Sequence, residues 1–248
     1  LGPSRTRLLD EPEPGPGPAR NRGAAAARGE ILAFVDADCT ADPGWLAAVE
    51  RGMARPGAEV LGGQVRVPFA DPARPTMVEA YEALFSFRNE MYVRSGYSAT
   101  CNMAVRAEVF ARVGGFGGIA IAEDADWGRR ATALGVRLDY LPDMVVFHPA
   151  RASMAELFRK WDRLIAHDVA AIRGVRGALR HGARAAGLPL SVLAEVPGIL
   201  ASDRLPSGAA RARALAGLAV VRGYRAWRMA TVPFARDRGA GAKAWNRG

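Results

Sequence analysis

Two runs of carboxylates carry most of the chemistry this sequence offers. Asp36-Ala-Asp38 follows the apolar run Glu30-Ile-Leu-Ala-Phe-Val35, and Glu123-Asp124-Ala-Asp126 follows a stretch with four glycines in residues 114–118. Paired carboxylates just past a strand suit Mg²⁺ or Mn²⁺, hard cations that take one or two carboxylates and fill their shell with water and phosphate oxygens. Three adjacent acids suit a general base, because like charges raise each other's pKa while a helix N-terminus lowers it. His148, before Pro149, is a further candidate metal ligand or phosphate contact. Each feature also has an ordinary explanation. Thirteen aspartates in 248 residues give roughly 0.7 Asp-x-Asp by chance, and acids at a helix start are common caps. Cys39 and Cys101 lack metal-ligand spacing and read as packing residues. Arg159-Lys160-Trp161 reads as a surface pair beside a core tryptophan.

The elements that must hold these residues follow from periodicity. Five prolines and three glycines in residues 1–18 predict a loop, and a short helix is expected over 21–28. Residues 30–35 read as a strand covered on both faces, ending at Asp36, as open α/β sheets place ligands at the carboxyl ends of strands. Asp42-Pro43 predicts a helix start leading into 45–53, with Asp42 as N-cap. A strand over 60–67, one long helix over 75–93, a strand over 100–105 and a helix over 107–113 follow. The glycines of 114–118 predict a loop able to move or to approach a ligand. A helix from Glu123 to Leu134 and two short strands, 136–141 and 144–147, complete this half. From Ser153 onward the pattern is helical, with breaks expected at Gly174, 187–189, 197–198 and 206–208.

Composition narrows the class. Half of the residues are hydrophobic, the net charge is +9 and there are two cysteines, which excludes a disulfide scaffold and a mainly disordered chain. Residues 1–150 carry 16 basic and 19 acidic groups, residues 151–248 carry 18 and 6. The basic excess therefore lies wholly in the C-terminal helices. With no zinc spacing, no RNP-like motif and few aromatics, nucleic acid is not the expected partner. Peripheral contact with an anionic membrane is, through the apolar faces of 188–200 and 214–229, with Arg222, Arg225 and Arg228 reaching the interface by their stems. No apolar stretch reaches the roughly 20 residues of a spanning helix, and no signal peptide is expected.

In order along the chain stand Ala19-Arg-Asn-Arg-Gly23, Gly29-Glu-Ile-Leu-Ala-Phe-Val-Asp-Ala-Asp38, Asp42-Pro-Gly-Trp-Leu46, Asn102-Met-Ala-Val-Arg-Ala-Glu-Val-Phe110, Val113-Gly-Gly-Phe116, Ala122-Glu-Asp-Ala-Asp-Trp127, Gly135-Val-Arg-Leu-Asp-Tyr140 and Val146-Phe-His148. This series resembles the inverting family 2 glycosyltransferases. The resemblance implies a GT-A (Rossmann-like) α/β fold, with a mixed sheet flanked by helices over residues 1–150 and a basic, mainly helical region over 151–248. It implies transfer of a sugar from a nucleotide-sugar donor to an acceptor hydroxyl with inversion. Arg20, Asn21, Asp36 and Asp38 would serve the donor side, with Asp38 and Asp36 on Mn²⁺ or Mg²⁺. Asp124 would be the general base, and Gly115, Phe116, Glu123, Asp126 and Trp127 would shape the acceptor side. Gly117-Gly118 replace the acids many members carry after Gly-Gly-Phe, and Leu157-Phe-Arg-Lys-Trp161 departs from the Gln-x-x-Arg-Trp of processive synthases, which favours single addition. Relative to the family, the first nucleotide-binding strands are expected to be missing ahead of Ala19. The expected setting is cell-envelope, glycolipid or polysaccharide synthesis in the cytoplasm, at the inner face of the plasma membrane. The alternative is a non-catalytic remnant that binds a membrane or protein partner through its basic helices.

Overall fold

The computed structural model describes residues 6–118, 122–170 and 172–232. In chain order its elements are α1 (Pro16–Ala26), β1 (Ile31–Val35), β2 (Thr40–Ala41), α2 (Trp45–Met53), β3 (Val60–Arg66), α3 (Met77–Phe85), α4 (Asn89–Arg94), β4 (Asn102–Arg106), α5 (Ala107–Val113), α6 (Glu123–Ala133), β5 (Leu138–Phe147), α7 (Met154–Ala170), α8 (Gly174–Ala201) and α9 (Gly208–Thr231). The strands form one sheet in the order β1-β4-β3-β5-β2. The expected class, an α/β sheet flanked by helices and followed by a helical C-terminal region, is what the chain forms.

The chain divides into two compact units. One comprises the residues up to Val65 together with Arg88–Phe147, the other Arg66–Phe87 together with the described residues from His148 onward. A cut at residue 150 would therefore leave α3 on the wrong side. In the first unit, β4 lies between β1 and β3, antiparallel to β1 (Val35 opposite Asn102) and to β3 (Leu61 opposite Ala104). One core packs Leu32, Phe34, Met103 and Val105 against Val109, Phe110, Phe116 and Trp127. On the other side Ala48, Val49 and Met53 of α2 meet Leu61, Leu141 and Met144. In the second unit, Ala80, Tyr81 and Ala83 of α3 pack with Leu157, Ile199, Leu205, Ala214, Leu218 and Val221. Buried Glu82 is satisfied there by the Arg151 guanidinium, the Arg151 backbone N–H (2.8 Å) and the Ser86 hydroxyl (2.6 Å).

Several elements differ from expectation, each for a visible reason. The helix expected over 21–28 starts five residues earlier: Gly15 takes φ 124 at the N-cap and Pro16 supplies a ready helical φ in the first turn. β1 is an edge strand with only Leu32 and Phe34 buried; Ala33 and Val35 face outward, so it is covered on one face, not two. Asp42 caps a turn instead of the helix, accepting from Gly44 N–H at 2.9 Å, and Gly44 is the N-cap of α2. The helix expected over 75–93 is two, α3 opened by a capping box in which Thr76 and Glu79 satisfy each other's N–H groups, and α4 after a break at Ser86–Arg88. The two strands expected over 136–147 are one: β2 pairs only with Val146 and Phe147, so Pro142 sits on an open side where no N–H is required. The breaks at Gly174 and 206–208 occur, whereas α8 runs through Pro189 and Pro197 because Ala185, Leu188, Val192 and Ile199 hold its inner face in the second unit's cores.

Asn102 joins four elements of the first unit. Its Oδ1 accepts from Trp45 Nε1 of α2 at 2.9 Å, and its Nδ2 donates to Gln64 O of β3 (2.8 Å) and Met144 O of β5 (2.7 Å). Gly63 leaves room for it, since a Cβ there would lie 2.3 Å from both Asn102 Nδ2 and Met144 O. Asn102→Ala is expected to cost on the order of 3 kcal/mol, because three buried or part-buried polar groups lose their partner. Urea denaturation measures this, and a loss below about 1 kcal/mol would show these bonds to be dispensable.

Candidate active site

The site is built around α1. Arg20, on its second turn, sends Nη2 to Asp36 Oδ1 at 2.6 Å and Nη1 to Glu123 Oε1 at 2.8 Å. The chain end of β1 and the N-terminus of α6, 87 residues apart, are thus held by one guanidinium. The side chains of Arg20 and Glu123 are 15% and 12% exposed and that of Asp36 is 32% exposed, so the cluster is only partly screened by water. Burial lowers the Arg20 pKa, but Asp36 and Glu123 more than offset this and hold it above its usual value.

Beside this bridge lies Asp124. Burial, followed by the charge of Glu123, raises its pKa above the ordinary carboxylate range, while the Ala125 N–H (2.7 Å) and Arg20 pull the other way. A buried carboxylate of raised pKa at a helix start is suited to accept a proton. Tyr92 and Tyr97 stack in parallel at 5.0 Å, and both phenols are raised by burial and by the Asp124 charge, Tyr97 to about 12. This aromatic pair was missed in the sequence. Its one signal is Gly128, where a Cβ would lie 2.3 Å from that of Tyr97, so that only glycine lets this loop lie on α6.

Asn21 is turned to the residue 114–116 backbone. Its amide is spent on the glycine loop: Nδ2 donates to Phe116 O at 2.9 Å, and Oδ1 accepts from Phe116 N–H at 2.8 Å. Arg130, held by Asp126 at 2.9 Å, donates to Val113 O and Gly115 O, and Trp127 Nε1 donates to Gly114 O. Residues 114–116 are therefore anchored from three sides, in place of the mobility expected from their glycines; 119–121 lie outside the described residues. Gly115 allows the approach, since a Cβ would lie 2.7 Å from Asn21 Oδ1. Phe116 and Trp127 are corrected in the same way. Their rings are buried with Phe34 and Phe110, so they support the site from behind and present no face to an acceptor. Asp126 acts through Arg130.

Asp38 is exposed in the turn that follows β1, closed by Cys39 N–H on Asp36 O at 3.0 Å. An open groove of about 770 Å³ runs between α1 and β1, lined by Arg20, Gly23, Ala33, Val35, Asp36 and Asp38. Cys39 and Cys101, read as unrelated packing residues, hydrogen-bond to each other, which lowers the Cys39 pKa and raises that of Cys101. His148 belongs to the second unit, where its ring lies 4.5 Å from that of Phe87 and Nδ1 is 2.8 Å from Pro149 O. Lys160 is not a freely exposed group: it is half-buried, 5.8 Å from the Phe87 ring, and burial lowers its pKa to about 8.

Hard oxygen donors at Asp36 and Asp38, beside an open groove, fit a hard divalent cation. Arg20 occupies Asp36 Oδ1, so such an ion would use Asp38 together with the other oxygen of Asp36.

Replacing Arg20 by Met should destabilise the chain by on the order of 3 kcal/mol, since two part-buried carboxylates lose their countercharge; an unchanged urea midpoint would refute the bridge. For Asp124 the sign runs with its raised pKa. Its contribution to stability is fully present below the unfolded value and is lost as pH rises through the folded one. Asp124→Asn should therefore raise Tm relative to the parent chain by an amount that grows as pH rises above about 4, and a pH-independent difference would count against the buried carboxylate.

Comparison with known proteins accords with this arrangement. Residues 2–114 match the family model described as Glycosyl transferase family 2. The chain is 31% identical over 162 residues to "Glycosyltransferase AglE" of Haloferax volcanii, an alignment that covers 63% of this chain and 51% of that protein. The chain thus spans about half the length of the curated relative it matches. Among solved structures, similarity extends to the mannosyltransferase PcManGT from Pyrobaculum calidifontis in complex with GDP-Man and Mn²⁺, at 23% identity and TM-score 0.47 over 92% of this chain and 65% of that one. It also extends to S. aureus TarS 1–349 in complex with UDP-GlcNAc, at 16% identity and TM-score 0.42 over 89% and 73%. The match to the glycosyl transferase family 2 thus lies in residues 2–114, which run from the segment preceding α1 through the Asp36–Asp38 turn to the end of α5.

Proposed function

We propose that this chain forms the transfer site of a metal-dependent glycosyltransferase that moves a sugar from a nucleotide-sugar donor to an acceptor hydroxyl with inversion. The observation that carries this is the convergence of Asp36, Glu123 and Asp124 about Arg20, next to the groove between α1 and β1. The family match in residues 2–114 and the name of the archaeal relative support the reaction class.

In this reading the groove receives the nucleotide end of the donor, and Asp38 with Asp36 holds Mn²⁺ or Mg²⁺. When bound, the cation offsets charge on the departing diphosphate. Asp124 takes the proton of the attacking hydroxyl at a carboxylate oxygen, its raised pKa bringing it nearer to the working pH. Glu123, fixed by Arg20, keeps negative charge beside Asp124 and sustains that shift. Arg130 and Asn21 set the 114–116 backbone at one wall, and the Tyr92–Tyr97 pair offers an aromatic wall near the base. We assign the product to single addition in cell-envelope or glycolipid synthesis, and the second unit to peripheral contact with an anionic membrane at the cytoplasmic side. The excess of 18 basic over 6 acidic groups in residues 151–248 supports that contact.

The test is turnover of a panel of nucleotide-sugars, with Mn²⁺ or Mg²⁺, by protein carrying this chain. Asp124→Asn should lower kcat by about 10²–10⁴-fold with little change in donor KM. Asp38→Asn should abolish stimulation by the metal. Turnover that is unaffected by either change would sink the proposal.

A further inference from the structure

Helix α8 carries an uncharged outer stripe. Val175, Leu179, Leu190, Leu193 and Leu200 are 62–76% exposed. At 3.6 residues per turn they fall within an arc of about 80° and span roughly 37 Å of helix. Every other residue on that arc is Gly, Ala or Pro. The opposite side of α8, with Ala185, Leu188, Val192 and Ile199, is packed inside the second unit. Arg176 and Arg180 are exposed along one flank of the stripe, over its first two turns, whereas Arg184 is turned away from it and pairs with Asp168 at 3.3 Å.

Among the described residues, α8 is the one helix long and apolar enough to cross a membrane. Its packing argues against crossing. α8 runs antiparallel to α9, joined by Arg222 to Glu195 at 2.7 Å, His181 Nε2 to Met229 O at 3.0 Å and Arg211 to Ser202 O at 3.2 Å. α9 brings five arginines, at 211, 213, 222, 225 and 228, so a spanning α8 would either drag them into hydrocarbon or lose its partner. The arginines expected to reach the interface from α9 are turned inward. Arg222 pairs with Glu195, Arg225 stacks on Trp161 at 3.6 Å, and Arg228 pairs with Asp162 at 2.7 Å.

We infer that α8 lies in the plane of an anionic bilayer, with its Val175-to-Leu200 stripe sunk among the acyl chains and Arg176 and Arg180 on lipid phosphates. Charge complementarity selects an anionic lipid surface, because Arg176 and Arg180 flank the stripe and the one acid of α8, Glu195, is already paired with Arg222. The inference deepens the membrane part of the proposed function and rests on it.

Flotation of the chain with vesicles of phosphatidylcholine, with and without about 30 mol% phosphatidylglycerol, tests this. Binding is expected to the anionic vesicles, with release by alkaline carbonate. Leu190→Asp with Leu193→Asp should weaken it at least about 10-fold, and Arg176→Gln with Arg180→Gln about 30-fold, at about 1 kcal/mol per arginine. Leu46→Asp, at an exposed leucine of α2, should bind like the parent chain, with circular dichroism confirming the fold of each variant. Undiminished binding by the double leucine variant would overturn the α8 assignment and leave membrane contact standing. Resistance to carbonate would overturn the in-plane orientation. Absence of vesicle binding by the parent chain would overturn both, and loss of a dimer in the leucine variant would then identify a second copy as the occupant. Nucleotide-sugar turnover in solution reports separately on the reaction.

Discussion

One guanidinium organises the candidate site. Arg20 reaches two carboxylates that chain connectivity puts far apart, and only a planar group with several N–H donors in fixed directions satisfies both at 2.6 and 2.8 Å. A lysine would offer a point charge in its place. Because the arginine sits on α1, the position of that helix sets the width of the groove, the orientation of Asp36 and the charge beside Asp124 together. Asn21, the next residue, extends the same helix's reach to the glycine loop by imitating a strand partner for Phe116. The outcome is a site whose acids are held near one another, against their repulsion, by neighbours that are themselves fixed by backbone hydrogen bonds.

Residues that signal through their own chemistry were legible in the sequence. Asp36, Asp38, Glu123 and Asp124 stood out as carboxylates at element ends, and the ordered motifs carried the family. What could not be read was which group each of them meets. Nothing local in Ala19-Arg-Asn-Arg-Gly23 says that its arginine bridges residues 36 and 123, because that distance is set by packing. Phe116 and Trp127 looked like site residues because they lie within motifs, whereas their rings are core. Glycines 114 and 115 suggested motion, yet their want of side chains serves close packing against Asn21 and Arg130. Four prolines defeat a reading of proline as a break: Pro16 opens a helix, Pro142 occupies an open side of a strand, and Pro189 and Pro197 are carried by a packed helix face.

In the second unit, charge count and charge placement proved different quantities. The basic excess of residues 151–248 suggested a surface, and part of it is consumed internally: Arg151 on Glu82, Arg222 on Glu195, Arg225 on Trp161 and Arg228 on Asp162. Burial lowers the Arg225 pKa to about 10, a measure of how far that guanidinium has left water. Among the described residues, Arg176 and Arg180 stay exposed at the start of α8, beside the apolar stripe.

The interleaving of the two units bears on how the chain is made. α3 belongs to the second unit, yet its buried partners Ile199, Leu205, Ala214 and Leu218 are synthesised more than a hundred residues later. During translation its apolar face must wait, uncovered, while the whole sheet of the first unit is completed on either side of it. Long-range contacts of this kind slow folding and leave hydrophobic surface open to chaperones or to aggregation. A ribosome stalled before α9 would therefore present a finished first unit and an α3 whose apolar face still lacks Ala214, Leu218 and Val221.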